Sequence, residues 1–292
     1  MIVEEEVVDG AVLDDIAHRL RGSGALVLSG AGLSTDSGIP DYRGPDGTRR
    51  VQPMQYAEFT GSSTARQRYW ARSYAGWERF VAARPNGGHR AVTDLQRAGA
   101  IAGIITQNVD GLHTAAGAAG VVELHGSLAK VVCLACRAEV PRPVIQAELA
   151  AENPDFLTRI GAAAPDGSRV SSQIRPDGDL DLPADAVAGF HAPVCRSCGA
   201  DLLKPDVVFF GESVPKDRVD RSYALTDAAP LLLVLGSSLA VMSGLRFVRR
   251  AAKNGTPIAI ITRSPTRGDD LATWKIEASV SPTLRRLVDL LS

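Results

Sequence analysis

Four short aliphatic segments recur along the chain, and each is followed within a few residues by Gly, Ser, Thr or Asn. They are ALVL at 25–28, IAGII at 101–105, LLLVL at 231–235 and IAII at 258–261. Short, uniformly apolar segments of this kind are typical of parallel strands buried on both faces. Helical sequences lie between them, such as 87–99 and 243–255. The alternation predicts an α/β fold with a doubly wound parallel sheet, in which ligands bind beyond the carboxyl ends of the strands.

The bulk composition excludes several classes of protein. With 292 residues, 45% of them hydrophobic, the chain is long enough for one large domain or a domain with a sizeable insert. Lys and Arg total 32 against 33 for Asp and Glu, so nothing indicates a nucleic-acid partner or a membrane surface. No apolar segment approaches the roughly 20 residues that span a bilayer. The acidic start MIVEEEVVDG does not resemble a secretory signal, so we expect a soluble, cytoplasmic protein.

Four cysteines form two C-x-x-C pairs. Cys133 and Cys136 lie in CLAC, and Cys195 and Cys198 lie in CRSC. Each pair can present two thiolates to one ion, so two pairs can complete a tetrahedral zinc site. A closed site of four cysteines has no open coordination position, so we expect one structural zinc ion. A redox pair and two disulfides are the alternatives.

The regular alternation lapses between the two cysteine pairs. The stretch 161–183 is rich in Gly, Pro, Asp and Ser, which favours loops, whereas 141–153 favours a short helix. We therefore predict two domains. Residues 1–129 and 204–292 form a discontinuous α/β domain, and 130–203 form a small zinc-binding domain with a long insert, held by something other than a hydrophobic core.

The segment LSGAGLSTDSGIPDYRG at 28–44 follows the first aliphatic segment directly. Gly30 and Gly32 indicate a tight turn whose backbone N–H groups approach a phosphate. The dinucleotide fingerprint G-x-G-x-x-G would require a third glycine, and Thr35 stands there instead. The turn is therefore a glycine-rich phosphate site of a different kind from that of a dehydrogenase.

Polar residues follow the second aliphatic segment in TQNVDGLH. Gln107, Asn108 and Asp110 suit a ligand site, although Asn, Asp and Gly also form turns and cap helices. His125, in ELHGSL, is a candidate general base, because histidine titrates near neutral pH, or a structural histidine.

Two later segments also carry candidate site residues. The extended run LLKPDVVFFGESVP at 202–215 could pair with an extended peptide, or it could be an ordinary buried strand. In LGSSL, the residues Gly236, Ser237 and Ser238 could offer N–H and hydroxyl groups to a phosphate or a ribose.

In this order, the motifs GAGLSTDSGIPDYRG, TQNVDGLH, ELHGSL, the two C-x-x-C pairs, KPDVVFFGE and LGSSL resemble those of the sirtuin family, from about Leu26 to the C-terminus. The resemblance implies a Rossmann-type NAD-binding domain, a small zinc-binding domain, and NAD-dependent deacylation of acyl-lysine in a protein or peptide. The products would be nicotinamide, lysine and O-acyl-ADP-ribose. The alternatives are a protein mono-ADP-ribosyltransferase of the same family, a dehydrogenase with a zinc ribbon, and a non-enzymatic interaction module.

The resemblance also implies roles for individual residues. His125 would be the general base, Asn108 would orient the nicotinamide ribose, and Asp110 would hold the carboxamide. The further residues implied to bind NAD are Gly30, Ala31, Gly32, Ser34, Asp36, Gly38, Ile39, Tyr42, Arg43, Gln107, Gly236, Ser237, Ser238, Thr262, Arg263 and Ala278. Those implied to line the acyl-lysine tunnel are Val208, Phe210, Gly211 and Glu212.

Within the family, the segments 67–77 and 264–272 and the long gap between the cysteine pairs look most like the class II group, which includes the mitochondrial lipoamidase and ADP-ribosyltransferase sirtuin. Two departures stand out: Tyr42 replaces a common Phe, and Thr262 a common Asn. Tyr69 and Arg72 are spaced to share a helix face. Such a pair can grip a carboxylate, so we hypothesise that acidic acyl chains are accepted.

Overall fold

The protein is described by a computed structural model, which covers residues 9–42, 48, 52–162, 175–182 and 184–292. The helices are α1 (Gly10–Leu20), α2 (Tyr56–Gly61), α3 (Ser63–Ala82), α4 (Gly87–Arg97), α5 (Leu112–Ala115), α6 (Arg142–Glu152), α7 (Phe156–Ala162), α8 (Lys216–Ala228), α9 (Met242–Lys253) and α10 (Val280–Leu291). The strands are β1 (Ala25–Ser29), β2 (Ile101–Thr106), β3 (Val122–Glu123), β4 (Gly126–Cys133), β5 (Glu139–Pro141), β6 (Leu203–Val207), β7 (Leu232–Leu235), β8 (Ile258–Ile261) and β9 (Trp274–Ile276).

Six parallel strands form the main sheet in the order β3-β2-β1-β7-β8-β9. The four predicted aliphatic segments are β1, β2, β7 and β8, and apart from Ala102 in β2 their residues are almost fully buried. Successive strands extend the sheet one way from β1 and the other way from β7. The strand order therefore reverses between β1 and β7, which is where a doubly wound sheet opens a crevice for a ligand.

Helices cover both faces of the main sheet. Helices α1, α4 and α10 bury one apolar cluster against it, with Ile16, Val92 and Leu284 at its centre. Helices α8 and α9 cover the opposite face, where Phe247 and Val248 are fully buried. This architecture confirms the predicted doubly wound α/β fold.

A second, antiparallel sheet has the order β5-β4-β6. The short helix predicted at 141–153 is present beside this sheet as α6. An apolar cluster joins this sheet to α3, α6 and α7, with Trp70, Leu149, Phe156 and Phe190 buried in it. The expectation of a module without a hydrophobic core was wrong, because these apolar residues are scattered among polar ones and their contacts are long-range.

The segment 175–182 packs against α3 through two glycines. A Cβ atom on Gly76 would lie 1.9 Å from the carbonyl oxygen of Gly178, so only glycine allows this approach. The N–H of Leu180 then donates to the carbonyl oxygen of Arg72 at 3.2 Å. Part of the Gly- and Pro-rich stretch is thus docked on a helix.

Among the described residues, none of the helices has the length and apolar character that crossing a membrane requires.

Candidate active site

A cavity of about 950 Å³ lies beyond the carboxyl ends of β1, β2 and β7, at the point where the strand order reverses. The turn after β1 and the turn after β7 form part of its wall, as does the loop after β2. The small sheet contributes the segment that follows β6, so the cavity lies between the two sheets.

The glycines of the two turns allow backbone to pack against backbone. A Cβ atom on Gly32 would lie 2.9 Å from the carbonyl oxygen of Gly236, and one on Gly236 would lie 2.4 Å from the nitrogen of Leu33. Gly236 also has φ +60°, a conformation that favours glycine. These glycines are therefore required by contact between the turns.

This contact changes the predicted phosphate interaction. The N–H of Gly30 donates to Leu235 and the N–H of Gly32 donates to Gly236, at 2.9 and 2.8 Å, so neither points at a ligand. The N–H of Leu33 is also bonded, to the carbonyl of Gly30. Within this turn the Ala31 N–H donates to no described residue, and it is the one available to a phosphate.

Asn108, Ser34 and Asp110 form a chain of hydrogen bonds between the loops after β2 and β1. The Asn108 amide donates to the Ser34 hydroxyl at 3.0 Å, and that hydroxyl donates to the Asp110 carboxylate at 2.7 Å. The Asp110 carboxylate also accepts from the N–H of Leu112 at 2.9 Å, so it caps α5 as well. Burial raises the pKa of Asp110 above its ordinary value. The two interpretations of this loop, ligand site and helix cap, are compatible.

His125 is held by two contacts that define its protonation. Its Nδ1 lies 2.9 Å from the carbonyl oxygen of Gln107, which can only accept, so Nδ1 carries the proton and donates. In the neutral ring, Nε2 is then the acceptor, and the Ser243 hydroxyl donates to it at 2.8 Å. Burial lowers the pKa of His125 to about 4. The ring is therefore neutral at physiological pH, with a basic nitrogen in the cavity wall.

Glycine also allows the Gln107 side chain to fit beside α9. A Cβ atom on Gly244 would lie 2.5 Å from the Gln107 side-chain oxygen. The Gln107 amide donates to the Ser237 hydroxyl at 2.8 Å. The side chain of Gln107 thus bonds to the turn after β7, and its own main-chain carbonyl orients His125.

The segment after β6 is hydrogen-bonded to the main chain of His125. The N–H of Val208 donates to the carbonyl oxygen of His125 at 2.8 Å. The Glu212 carboxylate accepts from the N–H of Phe209 and pairs with the buried Lys204 at 3.1 Å, which fixes the turn after β6. The Tyr42 and Phe210 rings meet edge to face with centroids 6.0 Å apart. Tyr69, buried against Phe209 and Phe59, lies in the same cavity wall.

The structure brings most of the predicted site residues to one cavity. Its lining includes Gly30, Ala31, Gly32, Ser34, Ile39, Tyr42, Tyr69, Gln107, Asn108, Asp110, His125, Val208, Phe210, Gly211, Glu212, Gly236, Ser237, Ser238 and Thr262. Arg43 lies outside the described residues.

Five predicted residues lie outside the lining. The Asp36 carboxylate accepts from Ser281 at 2.6 Å, and Gly38 ends the turn after it. Arg263 donates to Ser279 at 3.0 Å, and Ala278 is buried. Arg72 reaches the carboxylate of Asp181 at 3.7 Å and does not join Tyr69 in the cavity wall.

Sequence reasoning missed other wall residues, which include Ser243, Arg246, Pro176, Asp177, Ser264, Pro265, Thr266 and Arg267. Ser243 and Ser264 follow β7 and β8, so the rule that ligands bind beyond strand ends was the available signal. Pro176 and Asp177 reach the cavity only because the segment 175–182 docks on α3, and no local pattern indicates that.

The four cysteine sulfurs lie within 4.8 Å of one another. The Sγ atoms of Cys133 and Cys198 are 3.7 Å apart, and those of Cys136 and Cys195 are 3.6 Å apart. A tetrahedral zinc ion with Zn–S bonds of about 2.3 Å separates its ligands by roughly 3.8 Å. The cysteines are free rather than disulfide-bonded, so their arrangement fits one closed zinc site.

Comparison with known protein families matches residues 30–243 to the Sir2 family. The match covers well over half of the chain, and it includes the cavity turns, His125 and all four cysteines. The chain belongs to the Sir2 family.

Two curated relatives are similar over nearly the whole chain. The "NAD-dependent protein deacetylase 1" of Streptomyces coelicolor is 52% identical over 280 residues, which cover 96% of this chain and 90% of that protein. The protein of the same name from Mycobacterium avium is 49% identical over 273 residues, covering 94% and 93%. A solved structure described as "Sir2-p53 peptide-NAD+" matches with a TM-score of 0.71 at 28% identity, covering 94% of this chain and 96% of that one.

Proposed function

We propose that this chain is an NAD-dependent protein-lysine deacylase, which passes the acyl group of an acyl-lysine side chain to ADP-ribose and releases nicotinamide. The observation that carries the proposal is the neutral His125, whose Nε2 acceptor lies in the cavity at the point where the strand order reverses. The names of the relatives, which are NAD-dependent protein deacetylases, support the same reaction.

Different residues of the cavity would bind different parts of NAD and carry out the proton transfer. NAD, when bound, supplies a ribose carbon that can accept the acyl oxygen and a ribose hydroxyl that can be deprotonated. The Ala31 N–H would bind the phosphates, and Gly236, Ser237 and Ser238 would bind the adenosine half. Asn108 and Asp110, fixed through Ser34, would orient the nicotinamide end. His125 accepts a proton at Nε2, since its Nδ1 proton is held by Gln107.

The acyl-lysine is expected beside the segment after β6. Val208 is fixed to the His125 carbonyl, and Phe210 faces the Tyr42 ring, so this segment would place the acyl group next to the base. We retain the hypothesis that Tyr69 and Arg72 bind the carboxylate of an acidic acyl chain. To do so, Arg72 would have to give up its contact with the Asp181 carboxylate.

The zinc site would be structural. Cys133, Cys136, Cys195 and Cys198 would supply four thiolates and leave no coordination position for a substrate. We also propose the division into an NAD-binding domain, 1–129 with 204–292, and a zinc-binding domain, 130–203. Membership of the class II group and a cytoplasmic location stay predictions from the sequence motifs.

One incubation tests the function. Purified protein, NAD and an acetyl-lysine peptide are expected to yield nicotinamide, lysine peptide and O-acetyl-ADP-ribose in equal amounts, measured by mass spectrometry. His125→Ala should abolish all three products, whereas His18→Ala, an exposed histidine on α1, should not. ADP-ribose attached to a protein, with the acetyl group retained, would favour the mono-ADP-ribosyltransferase. Formation of NADH would overturn both.

A further inference from the structure

A second groove, separate from the cavity above, lies between the end of α3 and the starts of α4 and α10. Its volume is about 540 Å³, and its wall includes three arginines, Arg84, Arg90 and Arg285. Among the described residues of that wall, Asp36 is the only one with a carboxylate. The chain as a whole carries a net charge of −1, so this concentration of positive charge is local.

The arginines reach the groove from three different elements. Arg84 follows α3 and uses one guanidinium nitrogen to bind the carbonyls of Val81 and Ala83, at 3.1 and 3.0 Å. Arg285 extends from α10 across to α4, since a Cβ atom on Gly87 would lie 3.8 Å from its guanidinium carbon. Arg90 lies on the first turn of α4. Three arginines from different parts of the chain thus line one concave surface.

Little within the described part of the chain neutralises this charge. Arg90 and Arg285 are exposed, and their guanidinium groups make no ion pair or hydrogen bond with a described residue. The Asp36 carboxylate accepts from the Ser281 hydroxyl at 2.6 Å. The Asn86 side chain already accepts from the N–H groups of Gly88 and His89, so the guanidinium groups, rather than the helix end, would bind a ligand.

We propose that this groove is a binding site for a phosphate-bearing anion. Guanidinium groups bind phosphate oxygens with paired, charge-assisted hydrogen bonds. An anion with several oxygens can accept hydrogen bonds from more than one of these arginines, whereas a single carboxylate offers only two oxygens. The site is independent of the deacylase proposal, because none of its arginines lines the main cavity.

The groove lies behind the segment that forms the main cavity. The Asn86 amide donates to the carbonyl of Leu33 at 2.7 Å and to the hydroxyl of Ser37 at 3.0 Å. Ser37 and Asp36 line the groove, whereas Ser34, two residues earlier, lines the cavity. A bound anion would therefore contact the far side of the same turn.

The test is a calorimetric titration with sodium tripolyphosphate at low salt. ADP-ribose is present at saturation, so that the main cavity is already filled. The whole chain is expected to bind one tripolyphosphate. Arg90→Ala combined with Arg285→Ala should weaken binding by about tenfold or more, because two charge-assisted contacts are lost. Added NaCl should weaken binding to the unaltered chain, because salt screens exposed charges.

The matched control removes two exposed arginines that do not line the groove, Arg19→Ala with Arg286→Ala. It changes the net charge equally and should bind tripolyphosphate as tightly as the unaltered chain. Circular dichroism checks that each variant is folded. Undiminished binding by the Arg90 and Arg285 double variant, equal losses in the two double variants, or no binding by the unaltered chain would each overturn the proposal.

Discussion

His125 shows how the main chain can define the state of a catalytic candidate. The Gln107 carbonyl accepts from Nδ1, so the proton cannot reside on Nε2 while the ring is neutral. Burial then favours the neutral ring over the charged one. A pKa raised above the working pH would instead keep the ring protonated, and Nε2 could then not accept a proton.

The pH dependence of the reaction follows from this shift. Because burial lowers the pKa of His125 to about 4, the neutral base persists as the pH falls. We expect kcat/KM to be level between pH 8 and pH 5. A histidine with the ordinary pKa of about 6.5 would lose about 30-fold of its activity by pH 5. The measurement is a pH profile with an acetyl-lysine peptide, over the range in which circular dichroism shows a folded protein.

Ser243 is expected to position the same histidine. Its hydroxyl donates to Nε2 and so favours the neutral ring. Ser243→Ala should lower kcat by about 3- to 10-fold, leave the KM for NAD nearly unchanged, and move the acidic limb of the profile to higher pH. Ser243→Thr keeps the hydroxyl and should restore most of the activity. If the alanine variant left both kcat and the acidic limb unchanged, Ser243 would have no positioning role.

Sequence reasoning found the candidate residues of the site but not their contacts. His125 and Asn108 lie in motifs with a recognisable spacing, so they could be named. The bond between Ser243 and His125 joins positions 118 apart in the chain, and it depends on how α9 packs. The N–H groups of Gly30 and Gly32 were assigned to a phosphate, yet they bond to the turn after β7, because β7 is the neighbour of β1.

The sequence predicted those strands of the main sheet that are buried on both faces, and it did not predict the short ones. Strands β1, β2, β7 and β8 are largely buried on both faces and read as aliphatic segments. Strands β3 and β9 are short and are formed by pairing with a neighbour, as Trp274 pairs with Ala259, so no local pattern marks them. The docking of 175–182 on α3 is long-range too, and it places Pro176 and Asp177 in the cavity wall.

This docking can be tested with two helical glycines. On Gly76 a Cβ atom would lie 1.9 Å from the Gly178 oxygen, whereas on Gly161 it would meet nothing within 4 Å. Gly76→Ala should therefore destabilise the protein by roughly 1–3 kcal/mol or more. Gly161→Ala, the control, should stabilise α7 by up to about 1 kcal/mol, because alanine favours helix. Urea unfolding measures both. Equal free energies of unfolding for the two variants would show that the segment does not pack on Gly76 in solution.

At the scale of the whole molecule, β4 and β6 connect the cysteine site to the cavity. Their pairing begins at Gly126 and Val207, beside His125 and Val208, and ends at Cys133 and Leu203. A strand of this length spans roughly 20 Å. An ion at the cysteines would therefore be far from the chemistry and yet would fix one end of the strands that shape the cavity wall.

Removal of the metal should consequently impair both stability and activity. The purified protein is expected to hold one zinc ion per chain, measured by elemental analysis. A strong chelator should lower Tm and kcat together, because without the ion no bond joins the four cysteines and the ends of β4 and β6 are no longer held together. Added zinc should restore both, and Cys136→Ser with Cys198→Ser should reproduce the loss without a chelator. Full activity in protein with less than about one tenth of an ion per chain would contradict a structural role, since a supporting ion must be present in every active molecule.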